Sequence, residues 1–344
     1  MAAIACSLFA AGCGSADSDE AEPASTLAEA TTTQAATATS TSIASTTTAT
    51  VEENADEDGS NSAGGGTDDE DGAGETSPPP DQLDLPETPA GLAAAIGEAE
   101  LALRQPGIDQ ATAAPWGRRQ QALYRVLGFN PAWAEEVIAA TDPSVQQAVT
   151  RNWEANRALL ALVNSHTISD TLPAWRIETP PPADELIGYY REAEASTGVP
   201  WSILASINLI ETRMGRIKGI STAGAVGPMQ FLPTTWAECC DGDPTNHRDA
   251  INGAGRYLVQ RGAERNLDRA IFGYNNSDYY VAAVTSFAAV LDEEPDLYYA
   301  YHAWQVYFLS TEGVFVLPEG YEQPESIAAN QWLAQHPETL FPAS

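Results

Sequence analysis

The sequence predicts a mainly α-helical protein with N-terminal helices and a small C-terminal β-hairpin. Three observations predict it. From Pro89 onward the apolar residues recur at helical spacing. Proline and glycine stand where such stretches begin and end. Only the segment from Trp304 to Leu317 departs from that period, with two short apolar runs flanking Ser310-Thr311-Glu312-Gly313.

The elements follow in chain order. Residues 1–13 are an apolar stretch too short to cross a bilayer as a helix, and they read as the end of an export signal. Ala10-Ala11-Gly12-Cys13 resembles a bacterial lipobox. That resemblance implies lipidation at Cys13 and a membrane anchor without a spanning helix, with plain cleavage and secretion as the alternative. Residues 14–86 are a low-complexity run of Thr, Ser and Ala, then Asp, Glu and Gly, then Pro. So few apolar groups cannot offset the entropy of ordering, so a disordered tether is expected. A flexible chain of about 70 residues has a mean reach on the order of 45 Å.

Residues 87–178 read as a helical accessory region, with helices at 92–103, 116–127, 132–140 and 144–163. Asn130-Pro131 and Asp142-Pro143 each place a capping residue before a proline at the first helical position. A Pro-rich connector covers 172–182. Residues 179–291 carry helices at 183–195, 200–215, 234–238, 249–261, 267–274 and 279–291. Gly215 is expected to end the second of these. Residues 292–344 hold the hairpin, with strands at 304–309 and 314–317 and a four-residue loop. Trp304, Tyr307, Phe308 and Phe315 are expected to pack it onto the helices.

The formal net charge is -32. Between Gly14 and Leu85 there are 17 acidic residues and no Lys or Arg, which leaves 31 acids against 16 bases elsewhere. Both parts repel phosphates and anionic headgroups, so a nucleic-acid partner is excluded. The cysteines are Cys6, Cys13, Cys239 and Cys240. Adjacent Cys239 and Cys240 do not match a metal-site spacing. They read as two small half-buried residues, with a vicinal disulfide as the alternative in an oxidising compartment. His166, His247, His302 and His336 are scattered, and neither a metal nor a cofactor is expected.

The candidate chemistry centres on Glu211. Leu204, Ile207, Asn208 and Glu211 share one helical face. A face that buries Leu204 and Ile207 carries the carboxyl inward, where burial raises its pKa. The negative end of the helix dipole acts in the same direction. This is how a carboxyl group is kept protonated for use as a general acid. Downstream, residues 221–230 are small and Gly-rich, which lets backbone amides approach a ligand. Gln230 supplies an amide suited to acetamido or hydroxyl groups. Asp241 and Asp243 lie in a loop, but no second acid is paired with Glu211 by helical spacing, unlike the two-carboxyl arrangement of ordinary glycosidases.

Glu211-Thr212, then Gly227-Pro228-Met229-Gln230, then Gly273-Tyr274-Asn275 resemble, in that order, the motifs of bacterial lytic transglycosylases. Phe231 to Trp236 extends the likeness, and Thr212, Pro228 and Gly273 depart from the family pattern. The resemblance covers roughly residues 184–291. It implies a lysozyme-like, goose-type α fold acting on peptidoglycan glycan strands outside the cytoplasm. It implies that Glu211 is the catalytic acid, protonating the β-1,4 oxygen between N-acetylmuramic acid and N-acetylglucosamine. The muramic acetamide then assists at the anomeric carbon, and a 1,6-anhydro ring closes. It further implies that Ser221, Gln230 and Tyr274 contact substrate or acid, with Met229 and Asn275 shaping the pocket. A goose-type muramidase and a non-catalytic wall-binding lipoprotein are the alternatives.

Overall fold

The computed structural model describes residues 85–164 and 168–342. The expectations for the export segment, Cys13, the acidic tether and His166 lie outside these residues. The described chain is mainly helical. Its elements are α1 (Pro89–Ala102), α2 (Gln110–Phe129), α3 (Ala134–Ala140), α4 (Gln146–Asn164), β1 (Thr171–Leu172), β2 (Arg176–Ile177), α5 (Ala183–Thr197) and α6 (Trp201–Thr212). They continue with β3 (Ile217–Lys218), α7 (Pro233–Cys239), α8 (His247–Gln260), α9 (Leu267–Asn275) and α10 (Asp278–Glu293). Last come α11 (Tyr298–His302), β4 (Val306–Ser310), β5 (Gly313–Leu317), β6 (Ile327–Ala328) and α12 (Ala329–Gln335).

Side-chain oxygens set several helix starts. Thr88, Asp109, Asn246 and Asn266 each accept a bond from a first-turn amide. Asp142 accepts from the amide of Ser144. Asn130 does not cap as its sequence position suggests; its Nδ2 donates back to the Val126 carbonyl. Its neighbour α2 begins six residues before the expected Trp116 and continues past Gly128. The Asp109 cap fixes that start, and the helix keeps Pro115 inside it.

All twelve residues of α6 are buried. Full burial of Leu204, Ile207, Leu209 and Ile210 stabilises the fold by about 1.5–3 kcal/mol for each side chain. The helix packs on α5 and α10, and α10 in turn lies along α4. The helices of the accessory region and those around Glu211 therefore share one apolar core.

Inside that core is a buried polar cluster. Glu100 is fully buried and accepts from Tyr124 Oη at 2.5 Å and from Gln120 Nε2 at 3.0 Å. It also pairs with Arg104 at 2.7 Å. Arg104 keeps a second partner in Glu294 at 2.6 Å, so the loss on removing Glu100 falls on the buried Tyr124 hydroxyl and Gln120 amide. Each unsatisfied buried group costs about 1–3 kcal/mol, so Glu100→Ala is expected to destabilise the protein by about 2–5 kcal/mol, read as a lower midpoint in urea.

The hairpin pairs Val306 with Leu317 through Ser310 with Gly313. Its loop is two residues, Thr311 and Glu312, not four. The Ser310 hydroxyl accepts from the Glu312 amide and donates to the Gly313 carbonyl, which extends the pairing inward. Trp304 lies before the strand because its indole is held in the helical core, where it donates to Gln120. Tyr307 joins that core, but Phe308 and Phe315 face away from it. They belong to a second cluster with Leu172, Trp175, Ile217 and Trp332. The hairpin is thus packed on two sides. That second core is completed by two strand pairs absent from the sequence expectation: β1 with β6 and β2 with β3.

Candidate active site

Glu211 stands in the last turn of α6 and is 2 % exposed. Tyr280, near the start of α10, donates its hydroxyl to Glu211 Oε1 at 2.7 Å. Glu211 Oε2 is buried with no hydrogen-bond partner among the described residues. Burial holds the carboxyl pKa well above the usual carboxylate range, and the Tyr280 bond pulls weakly the other way. Burial thus favours the protonated form, with one oxygen oriented and the other unengaged. An unpaired buried oxygen costs roughly 1–3 kcal/mol, which a ligand accepting the proton would relieve.

Tyr274 completes this aromatic wall. Its ring lies parallel to Tyr280 at 6.3 Å, and its hydroxyl donates to the Met229 carbonyl at 2.7 Å. Burial raises its own pKa, and the Glu211 charge adds to the rise. Asn275, the next residue, is 1 % exposed, and neither end of its amide has a partner among the described residues. Met229 is fully buried, so its side chain shapes the floor and offers the ligand no surface.

The chain leaves α6 through a strained path. Arg213, Met214 and Gly215 all have left-handed φ, at 54°, 59° and 82°. For Arg213 and Met214 this costs roughly 1–2 kcal/mol each. The helix accordingly stops at Thr212, three residues before the expected Gly215. Bonds hold the path: Met214 N donates to the Asn208 carbonyl at 3.2 Å, and Gly215 N to Thr212 Oγ1 at 3.0 Å. The Arg213 guanidinium also donates to the Leu209 carbonyl.

The same Thr212 and Asn208 position the Gly-rich segment. Thr212 Oγ1 donates to the Pro228 carbonyl at 2.6 Å, and Asn208 Nδ2 donates to it at 2.8 Å. Tyr190 fixes the Asn208 amide by donating to its Oδ1 at 2.6 Å. Val226 and Phe231 pair across the turn. Gly227 is required at its position: φ is 76°, and a Cβ there would lie 1.8 Å from the Pro244 carbonyl oxygen. Gln230 sits at the far end with φ 50°, and its Nε2 donates to the Gly227 carbonyl at 2.9 Å.

The structure therefore brings Glu211, Met229 and Tyr274 together, with Asn275 beside Tyr274. Ser221 is different. It makes its hydrogen bonds within its own turn, accepting from Ala225 N at 2.9 Å. Asp243 is likewise engaged locally by the amide and hydroxyl of Thr245. Asp241 is exposed. Cys239 and Cys240 form a disulfide at the end of α7, and both are half-buried. No His, Cys, Asp and Glu cluster fit for a metal occurs among the described residues. None of the described helices is long and apolar enough to cross a membrane.

Sequence reasoning missed Tyr280. The available signal was an adjacent Tyr279-Tyr280 pair opening the helix just after Tyr274-Asn275. Tyr280→Phe is expected to raise the Glu211 pKa further, since the bond that lowers it is gone. A ¹³C-carboxyl NMR titration of the variant beside the wild type checks it.

Beside the turn runs a groove of about 560 Å³, walled by Trp175, Lys218, Ile220, Gly227 and Pro228 among others. Glu211 is not among its walls; the groove shares Gly227 and Pro228 with the turn held by Thr212 and Asn208. No protein-family model, no curated protein and no solved structure matches this chain.

Proposed function

We propose that this chain is a peptidoglycan lytic transglycosylase with a goose-type, lysozyme-like catalytic region. The observation that carries the reading is the buried Glu211 carboxyl group, with one oxygen held by Tyr280 and the other unengaged, in a setting where burial raises its pKa. In this reaction Glu211 gives its proton to the β-1,4 glycosidic oxygen as the bond to the muramic anomeric carbon breaks. The muramic acetamide oxygen attacks that carbon in support. Glu211, now ionised, takes the C6 hydroxyl proton while the C6 oxygen closes onto the anomeric carbon and displaces the acetamide oxygen from it. One acid serves both steps and no water is consumed, so no second carboxylate is required. The engagement of Asp243 within its own loop favours this over two-carboxyl hydrolysis.

The protein acts outside the cytoplasm, tethered through lipid on Cys13 or secreted. The Cys239–Cys240 disulfide supports an oxidising compartment. The test is a digest of purified sacculi read by mass spectrometry. Anhydro-muramyl ends are expected. Hydrated reducing ends would instead indicate a muramidase, and binding to sacculi without release of fragments would indicate a wall-binding protein.

A further inference from the structure

Lys218 is the only lysine in the chain, against 48 acidic residues. It lines the groove beside Gly227 and Pro228. Despite the abundance of acids, no carboxylate lies within ion-pair distance of it among the described residues. Its ammonium instead meets His247 Nε2 at 3.2 Å. That imidazole is neutral at physiological pH, because burial, helped by Lys218 itself, pushes its pKa down to about 4. The imidazole therefore accepts from the ammonium and does not cancel its charge. His247 Nδ1 is buried without a partner.

The position opposes stability in a second way. On the β2–β3 pair, Lys218 stands directly opposite Arg176, which also lines the groove. Like charges facing one another across a strand pair are destabilising. Glu178 is in contact with Arg176 at 3.2 Å and acts on Lys218 only from beyond ion-pair distance. Among the groove walls there are two cations and one carboxylate, the exposed Glu322. Trp175, Ile220 and Pro324 supply apolar surface around them. A cation in an apolar-walled groove, held by a neutral imidazole, is arranged to receive an anion.

We propose that Lys218 binds a carboxylate of the peptide borne by the muramic acid, so that the groove reads the peptide stem while the acid site holds the glycan. The proposal rests on the glycan-cleaving reading for its ligand, and its first test does not need turnover. A single lysine gives a single side-chain signal in protein labelled with ¹³C-lysine. Titration with N-acetylmuramyl-L-alanyl-D-glutamate, which carries the α-carboxylate that an unamidated stem retains, is expected to move that signal saturably. Its dimethyl ester, chitotetraose and acetate at equal concentration are expected to leave it in place. No movement with the free acid, or equal movement with the ester or acetate, overturns the proposal. The second test compares glycan strands with and without their peptides. Lys218→Met is expected to lower the ratio of kcat/KM for peptide-bearing over peptide-free strands by about tenfold, with Lys218→Arg restoring part of it. An unchanged ratio overturns the proposal. If the wild type cleaves neither strand, the cleavage reading falls, while the titration still decides the role of Lys218.

Discussion

Glu211→Gln is expected to reduce release of anhydro-muropeptides by about 10³-fold, the scale of general acid–base catalysis lost outright. Glutamine keeps the shape and can still accept from Tyr280, so the fold is retained. The same variant carries a stability signature. The folded protein holds this carboxyl protonated, with a pKa raised by burial, whereas the unfolded chain ionises it in the ordinary carboxylate range. The native state therefore binds the extra proton, and its stability falls as pH rises above the unfolded value, until the folded pKa is passed. Glutamine has no such dependence. The Tm difference between variant and wild type should grow in favour of the variant from pH 4 to pH 7. A variant that releases anhydro ends at the wild-type rate would remove Glu211 from the mechanism. A flat Tm difference would remove the protonated carboxyl.

Gly227→Ala is expected to have the second-largest effect. A left-handed φ costs a side chain roughly 1–2 kcal/mol, and overpacking adds about 1–3 kcal/mol. Here the obstruction is backbone, the Pro244 carbonyl, which cannot swing aside as a side-chain tip does. We expect a loss of about 3 kcal/mol together with loss of activity, because the turn hung from Thr212 and Asn208 must shift. Gly224→Ala is the control. Its φ is 85°, but an added Cβ meets nothing within 4 Å, so only the conformational cost applies. Thermal unfolding of the two variants side by side separates strain from obstruction. Equal losses would mean that the Pro244 contact is unimportant.

The helices were readable because their signals are local. Apolar spacing and Pro or Gly at the ends depend only on neighbouring residues, and the 3.6-residue period puts Leu204, Ile207, Asn208 and Glu211 on one face, although α6 is buried on every side. By contrast, α11 and α12 are short, with five and seven residues, and too brief to show a period. The pairs β1–β6 and β2–β3 are two residues long and join distant segments, one of them hidden in the Pro-rich connector. No alternation can register in so few positions.

Sequence by itself determined that this chain is mainly helical, that its acid shares a helical face with Leu204 and Ile207, and that a Gly-rich turn follows it. Tertiary structure alone decided that Tyr280 orients the acid, that Thr212 and Asn208 hold the Pro228 carbonyl, and that the single lysine lines a groove with no carboxylate in ion-pair contact with it among the described residues. The physical reason is range. Period and capping act within a few residues, whereas a hydrogen bond between residues 69 positions apart exists only once packing has brought their helices together.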